Sequence, residues 1–517
     1  MPPPRPPHPP PPPPPPPGPP PLRAHRLPLP PTRPAPASLL LAPPSSPARA
    51  LALLFPDSSA HLFPSLPSVA TSSSPAHTPV PSPLAAAACF ALLLPSSHLL
   101  FLSAHPSPCS PSVHLRAYSL ASAPAFPRFA PASLSFKRHA SAAGLPLQGL
   151  PFGLGVRLAG GVNAVALLSL SAGQIWVLAP KLAADGRTVE LHKCAVVELE
   201  PARPVYAMEV AMGRLLLGEA GGLRVFPLRG LMKGGKEREG KKEVSVAVGR
   251  KGYHKKNGML NGLVVPVKRV SYGGSGEGDV VSTWALPWGR TQCRELLLCA
   301  GSGEGCQWQA LPSSVQCEET ATRTRDLPVT GGKLTTLRVK QSSGSYCSFL
   351  LAFQNDDHKS EGSMELLKSV KAVSIHPLSK NKFLVLDSSG VLHVFSLSTT
   401  EMGSGAASKQ YSENIHTYRL DYPMKVQFSA VFSVTSIKTQ FFWVSDGGHT
   451  VHVMSAVETE SPNGDNGDVP GERELATIKL SAIEAIFTSE RVQDIVSISK
   501  DSVLILGQGN MFLYGTS

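Results

Sequence analysis

The densest chemistry in this chain is a run of cations between residues 229 and 269, where twelve Arg or Lys face three Glu. Lys233, Lys236, Arg238, Lys241 and Lys242 form one cluster and Arg250, Lys251, Lys255 and Lys256 a second, with glycines between them that keep a backbone free to turn. Cations at this density bind anions. The chemistries that fit are a nuclear-import signal, contact with the phosphate backbone of RNA or DNA, and docking to an acidic protein. Tyr253 is the single aromatic residue among them, too few for a platform that stacks unpaired bases.

The other reactive residue types do not assemble into a catalytic pattern. Of eight cysteines, Cys293, Cys299, Cys306 and Cys317 are spaced by 6, 7 and 11 residues, without a C-x-x-C pair or a histidine at ligand spacing, so neither a zinc site nor a disulfide framework is expected. The Gly-rich runs at Gly273 to Gly278 and Gly301 to Gly305 lack the lysine and the strand-to-helix setting that cradle a phosphate. Asn463-Gly-Asp-Asn-Gly-Asp468 has part of a calcium loop but not its closing glutamate. No nucleophile elbow and no H-E-x-x-H occurs. Half of the sixteen histidines precede residue 145, while His393 and His452 fall on strand positions, where packing is the expected role. These absences predict no enzyme, no metal and no cofactor.

Net charge sharpens once it is partitioned. The chain carries +12, but residues 1 to 145 hold nine Arg or Lys against Asp57 alone, a balance of +8, and residues 229 to 269 contribute +9. What remains is mildly acidic, so the positive charge sits on appendages rather than on the body.

The elements that would carry those appendages show a repeat. SAGQIWVLA at 171 to 179, EAGGLRVFPL at 219 to 228, DSSGVLHVFSL at 387 to 397, SDGGHTVHVMSA at 445 to 456 and GQGNMFLYG at 507 to 515 each pair a Gly-containing turn with a strand of alternating apolar residues. In the third, Val391, His393 and Phe395 share one face and Leu392 and Val394 the other, and both faces are largely apolar, as a strand sandwiched between two sheets requires.

The run SVKAVSIHPLSKNKFLVLDSSGVLHVFSLS, from Ser369 to Ser398, resembles a blade of the WD-repeat family, although the Gly-His and Trp-Asp pairs of that family are missing from every copy. The resemblance implies an all-β fold, a β-propeller of about seven blades. Separations of 49, 168, 58 and 61 residues between Gly173, Gly222, Gly390, Gly448 and Gly509 leave room for further units inside the long gap. Glu295 to Ala310 and Leu334 to Phe353 are candidates for them. A strand from Gly149 to Gly160 is expected to close the last blade, because an unpaired sheet edge invites association.

Domain organisation follows. Residues 1 to 145, rich in Pro, Ser and Ala and opening on the proline run Pro9 to Pro17, read as a disordered extension, and 146 to 517 as the propeller, with the basic loop 229 to 269 and an acidic loop 457 to 474. The apolar run Leu84 to Leu94 is too short to span a membrane. The absence of any N-x-S/T acceptor fits an intracellular, nuclear or cytoplasmic protein. An acid-poor extension rich in Ser, Ala and Arg has the composition of a transit peptide, and on that reading the destination is a plastid or mitochondrion. The expected function is a non-catalytic scaffold for protein partners; the alternative is a nucleic-acid-associated protein that uses the basic loop.

Overall fold

A computed structural model describes residues 23–27, 29, 34–66, 77–81, 87–107, 110–121, 127–137, 139–232, 336–342, 348–353, 370–399, 411–416, 424–432, 439–459, 477–499 and 501–515. They form a ring of seven antiparallel blades. Strand β1 (Arg23–Leu27) stands apart from its sequence neighbours. Blade I is β2 (Ser38–Leu41), β3 (Leu51–Leu54), β4 (Ala60–Phe63) and β5 (Thr78–Val80); blade II is β6 (Ala87–Leu93), β7 (His98–Pro106), β8 (Ser112–Ala121) and β9 (Arg128–Phe136). Two short strands, β10 (His139–Ser141) and β11 (Leu145–Pro151), flank β9 and β8 on the way to blade III. Blade III is β12 (Val156–Gly160), β13 (Val165–Ser169), β14 (Gln174–Leu182) and β15 (Thr188–Glu198).

Blade IV begins with β16 (Ala207–Ala211), β17 (Arg214–Glu219) and β18 (Gly222–Pro227), followed by the short helix α1 (Leu228–Met232). The chain reappears as β19 (Leu337–Lys340), which adds in parallel to the outer edge of β15, before β20 (Phe349–Ala352) completes blade IV. Blade V is β21 (Ala372–Pro377), β22 (Lys382–Asp387), β23 (Leu392–Thr399) and β24 (Tyr411–His416), and blade VI is β25 (Phe428–Val431), β26 (Thr439–Ser445), β27 (Thr450–Thr459) and β28 (Thr477–Phe487). Blade VII takes β29 (Asp494–Ser499), β30 (Ser502–Leu506) and β31 (Met511–Gly515) from the C-terminal end and receives β1 as its outermost strand, with Arg23 opposite Gly515 and Leu27 opposite Met511.

The innermost strands touch in cyclic order, and the seventh, β29, returns to β2, so the ring is closed. Seven hydrophobic clusters fill the seven interfaces between neighbouring blades. One strand feeds two of them by simple alternation. On β30, Val503 and Ile505 pack toward blade VI while Leu504 and Leu506 pack toward blade I; on β22, Phe383 and Val385 face blade IV and Leu384 and Leu386 face blade VI. Continuous apolar runs are therefore what the second and third strands need, and each such fully buried side chain contributes about 1.5–3 kcal/mol. Gly160 lets two innermost strands approach, since a Cβ there would collide with the Phe90 carbonyl oxygen.

The five Gly-containing repeats are the hairpins between the second and third strands of blades III to VII. The Ser369–Ser398 run supplies the three inner strands of blade V. Three expectations are corrected. Strands from Arg23 to Leu145 belong to the ring, so the propeller does not begin at residue 146; the Leu/Ala-rich runs at 38 to 63 and 87 to 121 bury both faces of blades I and II, and their prolines fall largely in turns and on edge strands. Residues 337–352 build no blade of their own but give a fifth strand to blade III and a fourth to blade IV; Glu295 to Ala310 lies outside the described residues. The closing strand is β1, because Val156–Gly160 already serves as the innermost strand of blade III.

Candidate functional site at the channel mouth

The alternation of strands gives the ring two faces. One carries the turns between second and third strands together with the crossings from each blade to the next, and here the chain enters every innermost strand. Four cations stand at these entries: Arg157, the second residue of β12; Lys371, just before β21; Lys425, three residues before β25; and Arg491, three before β29. Lys425 and Arg491 are exposed, Arg157 and Lys371 half-buried.

Tyr206, at the entry to blade IV, draws two of them together. Its carbonyl oxygen accepts a hydrogen bond from the Arg157 guanidinium, and the Lys371 ammonium lies 5.0 Å from the centre of its ring. Burial pushes the pKa of Arg157 down, so its charge is held at a desolvation cost. Lys371 is tied to the 387–390 turn of blade V through Ser388 N to Lys371 O, 2.8 Å, and Lys371 N to Ser388 Oγ, 3.1 Å. The same turn abuts Lys425: Gly390, at φ +89°, leaves no room for a Cβ beside Lys425 Cγ, and its carbonyl accepts the Val426 amide.

Carboxylates on this face are engaged locally. Asp57 accepts the Ser59 amide, Asp446 the Gly448 amide, Glu490 the Gly509 and Asn510 amides, and Glu200 pairs with Arg203 at 3.4 Å. Among the described residues none of the four cations has a carboxylate within ion-pair distance. Asp387 is buried, and its Oδ1 accepts from Ser389 and Val391 while Oδ2 meets His393 Nε2 at 2.7 Å. Burial alone would raise this carboxyl, but the bonds from His393, Ser389 and Val391 outweigh it and hold the pKa below the ordinary range. Asp387 thus fixes its turn and the His393 ring, whose centre lies 4.2 Å from that of Phe353 with the two planes tilted by 38°.

Between the innermost strands of blades V and VI, His376 Nε2 lies 3.0 Å from Ser374 Oγ and 2.9 Å from Ser429 Oγ. A Ser–His pair is the minimal arrangement of an activated nucleophile. Here one nitrogen serves two hydroxyls, one of them on a fully buried serine of the next blade, so the trio staples blades V and VI. The Cys89 thiol is pushed up by burial and then by the Glu209 carboxylate, which disfavours the reactive thiolate.

The sequence-selected cations Lys233, Lys236, Arg238, Lys241, Lys242, Arg250, Lys251, Lys255 and Lys256 all lie outside the described residues, as do 460 to 474 of the acidic loop; residues 457 to 459 end β27. His452 takes a strand position on β27 and Trp443 is buried in the core. Arg157, Lys371, Lys425 and Arg491 escape sequence reading because the four lie more than fifty residues apart from one another and form no local cluster. Their common signal, a position within three residues of the start of an innermost strand, exists only once every blade is delimited.

No family model matches the sequence, and no curated protein matches it. Among solved structures, the chain is similar to the β-propeller domain of Cps50 (Swd1) from Myceliophteria thermophila, at 9% identity and TM-score 0.39 over 93% of this chain and 97% of that one. It is similar to the WD40 domain of SCAP from fission yeast, at 9% identity and TM-score 0.39 over 96% and 94%. The β-propeller domain of Nup133 from Vanderwaltozyma polyspora gives 9% identity and TM-score 0.35 over 96% and 98%. The closed seven-blade ring, independently of these likenesses, makes the chain a β-propeller.

Proposed function

We propose that this chain is a non-catalytic protein-interaction scaffold whose channel mouth receives an acidic peptide segment of a partner. The observation that carries the reading is the set of four cations at the mouth with no carboxylate partner among the described residues, one of them the partly desolvated Arg157. A carboxylate delivered by a ligand gives that guanidinium a charge-assisted bond, and the exposed lysine and arginine around it raise the encounter rate. The mouth suits an extended chain better than a nucleic acid, since Lys371 already lies over one face of the Tyr206 ring and a single ring makes no platform for successive bases.

Fluorescence anisotropy with a labelled Glu/Asp-rich peptide, compared with its Gln/Asn counterpart, tests this. Selective binding of the acidic peptide is expected, with affinity weakened about tenfold or more by Lys371→Glu with Lys425→Glu, corresponding to about 1.4 kcal/mol. Equal binding of the two peptides, or indifference to the double substitution, overturns it. The nucleic-acid alternative rests on the charge of residues 233 to 256. On that reading the same assay with single-stranded RNA loses its signal when that segment is deleted and keeps it in the double variant.

A further inference from the structure

The loop between blades III and IV, residues 199 to 206, brings Tyr206 to the mouth, and one buried side chain holds it. Gln341 follows β19 and is fully buried. Its Oε1 accepts the Glu200 amide at 2.7 Å, and its Nε2 donates to the Arg203 carbonyl at 3.0 Å and to Glu219 Oε1 at 2.8 Å. Both ends of the 200–203 turn, itself closed by Arg203 N to Glu200 O at 2.9 Å, are therefore gripped by one amide. That amide is anchored in turn: the Gln341 backbone N–H donates to the Glu198 carbonyl at 2.8 Å, its carbonyl accepts from Ser348 Oγ at 3.2 Å, and Glu219 is locked by the Arg224 guanidinium through both carboxylate oxygens. Every hydrogen-bonding group of this side chain has a partner in the fold, which fixes its orientation.

We infer that Gln341 is a positioning residue for the channel mouth, holding the 199–206 loop so that Tyr206 sets Arg157 and Lys371 side by side for an acidic peptide. The ligand in this inference rests on the proposed function; the clamp itself stands on geometry. It joins two segments far apart in the chain, because β19 returns after residue 335 while the loop it grips lies ahead of blade IV. Methionine at 341 keeps the length of the side chain and removes its hydrogen bonds, leaving the Glu200 amide and the Arg203 carbonyl unpaired.

In the full-length chain, Gln341→Met is expected to weaken the Glu/Asp-rich peptide about tenfold and to speed hydrogen exchange across 199–206, with exchange in the strands of blades I, VI and VII unchanged. A folded variant with unaltered affinity and unaltered exchange in that loop overturns the inference. If the wild-type chain binds no acidic peptide, the proposed function fails; faster exchange in the loop then still supports the clamp and unchanged exchange rejects it. If the variant does not fold, exchange in the wild-type chain decides: slow exchange at the Glu200 amide, comparable with the blade strands, supports the clamp, and exchange as fast as in an open turn rejects it.

Discussion

His105 shows how much a single buried side chain decides. It lies on β7 almost without solvent exposure, bonded to Ser103 Oγ at 2.9 Å, and burial, then the Arg116 and His114 charges, lower its pKa to about 4. The unfolded chain takes up a proton near pH 6.5 and the folded chain only near pH 4, so acid favours unfolding across that interval. Stability from this group is complete above about pH 6.5 and falls by about 3 kcal/mol on the way to pH 4. His61, His98 and His114 are also shifted down by burial and add to the same slope. Denaturant titrations at pH 7.5, 6 and 5 should show this loss, and His105→Gln, which keeps a partner for Ser103, should flatten it; an identical slope in the variant would contradict the assignment. None of this is legible in the sequence, where His105 stands among prolines and serines. What places it is the pairing of β7 with β8, which sets His105 opposite His114.

At the scale of elements, the sequence is legible where a turn has a chemical signature. Blades III to VII announce themselves by glycine in the hairpin between second and third strands. In blades I and II the same hairpin is Phe55-Pro-Asp-Ser-Ser59 or spans Ser107 to Pro111, without glycine, and Ser58 takes the left-handed conformation itself at φ 65°. Alternation is hidden there as well, because the strands are built from Leu and Ala and both faces are apolar. Composition then suggests an unfolded extension although the side chains pack three interfaces. The consequence is sharpest at β1. Its Leu27 is buried with Leu39, Leu51, Phe63 and Leu504 between blades VII and I. Deleting residues 1–27 strips the outer edge of β31 and one buried leucine, and should lower the melting temperature by several degrees relative to a chain that lacks only 1–22. Differential scanning calorimetry of the two truncations checks this, and equal melting would show that β1 does not close the ring.

For the whole molecule, the long gap between the second and third Gly-marked repeats invites extra blades, yet the missing blades lie at the start of the chain. Local pattern cannot reveal this, since closure depends on a pairing between Arg23 and Gly515, residues at opposite ends of the sequence. That pairing also predicts a permutation. Arg23 and Gly515 are neighbours across an antiparallel ladder, so a linker of about two to five residues can join them as a hairpin does. New ends can be opened at Met232, which closes α1 against the core between blades III and IV, and at Thr336, one residue before β19. A chain running from 336 to 515, through the linker, and from 23 to 232 contains all thirty-one strands of the described residues in the same cyclic order. It should unfold in a single cooperative transition and keep its affinity for the acidic peptide, because the four mouth cations and Gln341 are all retained. Two separate transitions would mean that the segment between 232 and 336 is needed to hold blades III and IV together, and that ring closure alone does not define the folding unit.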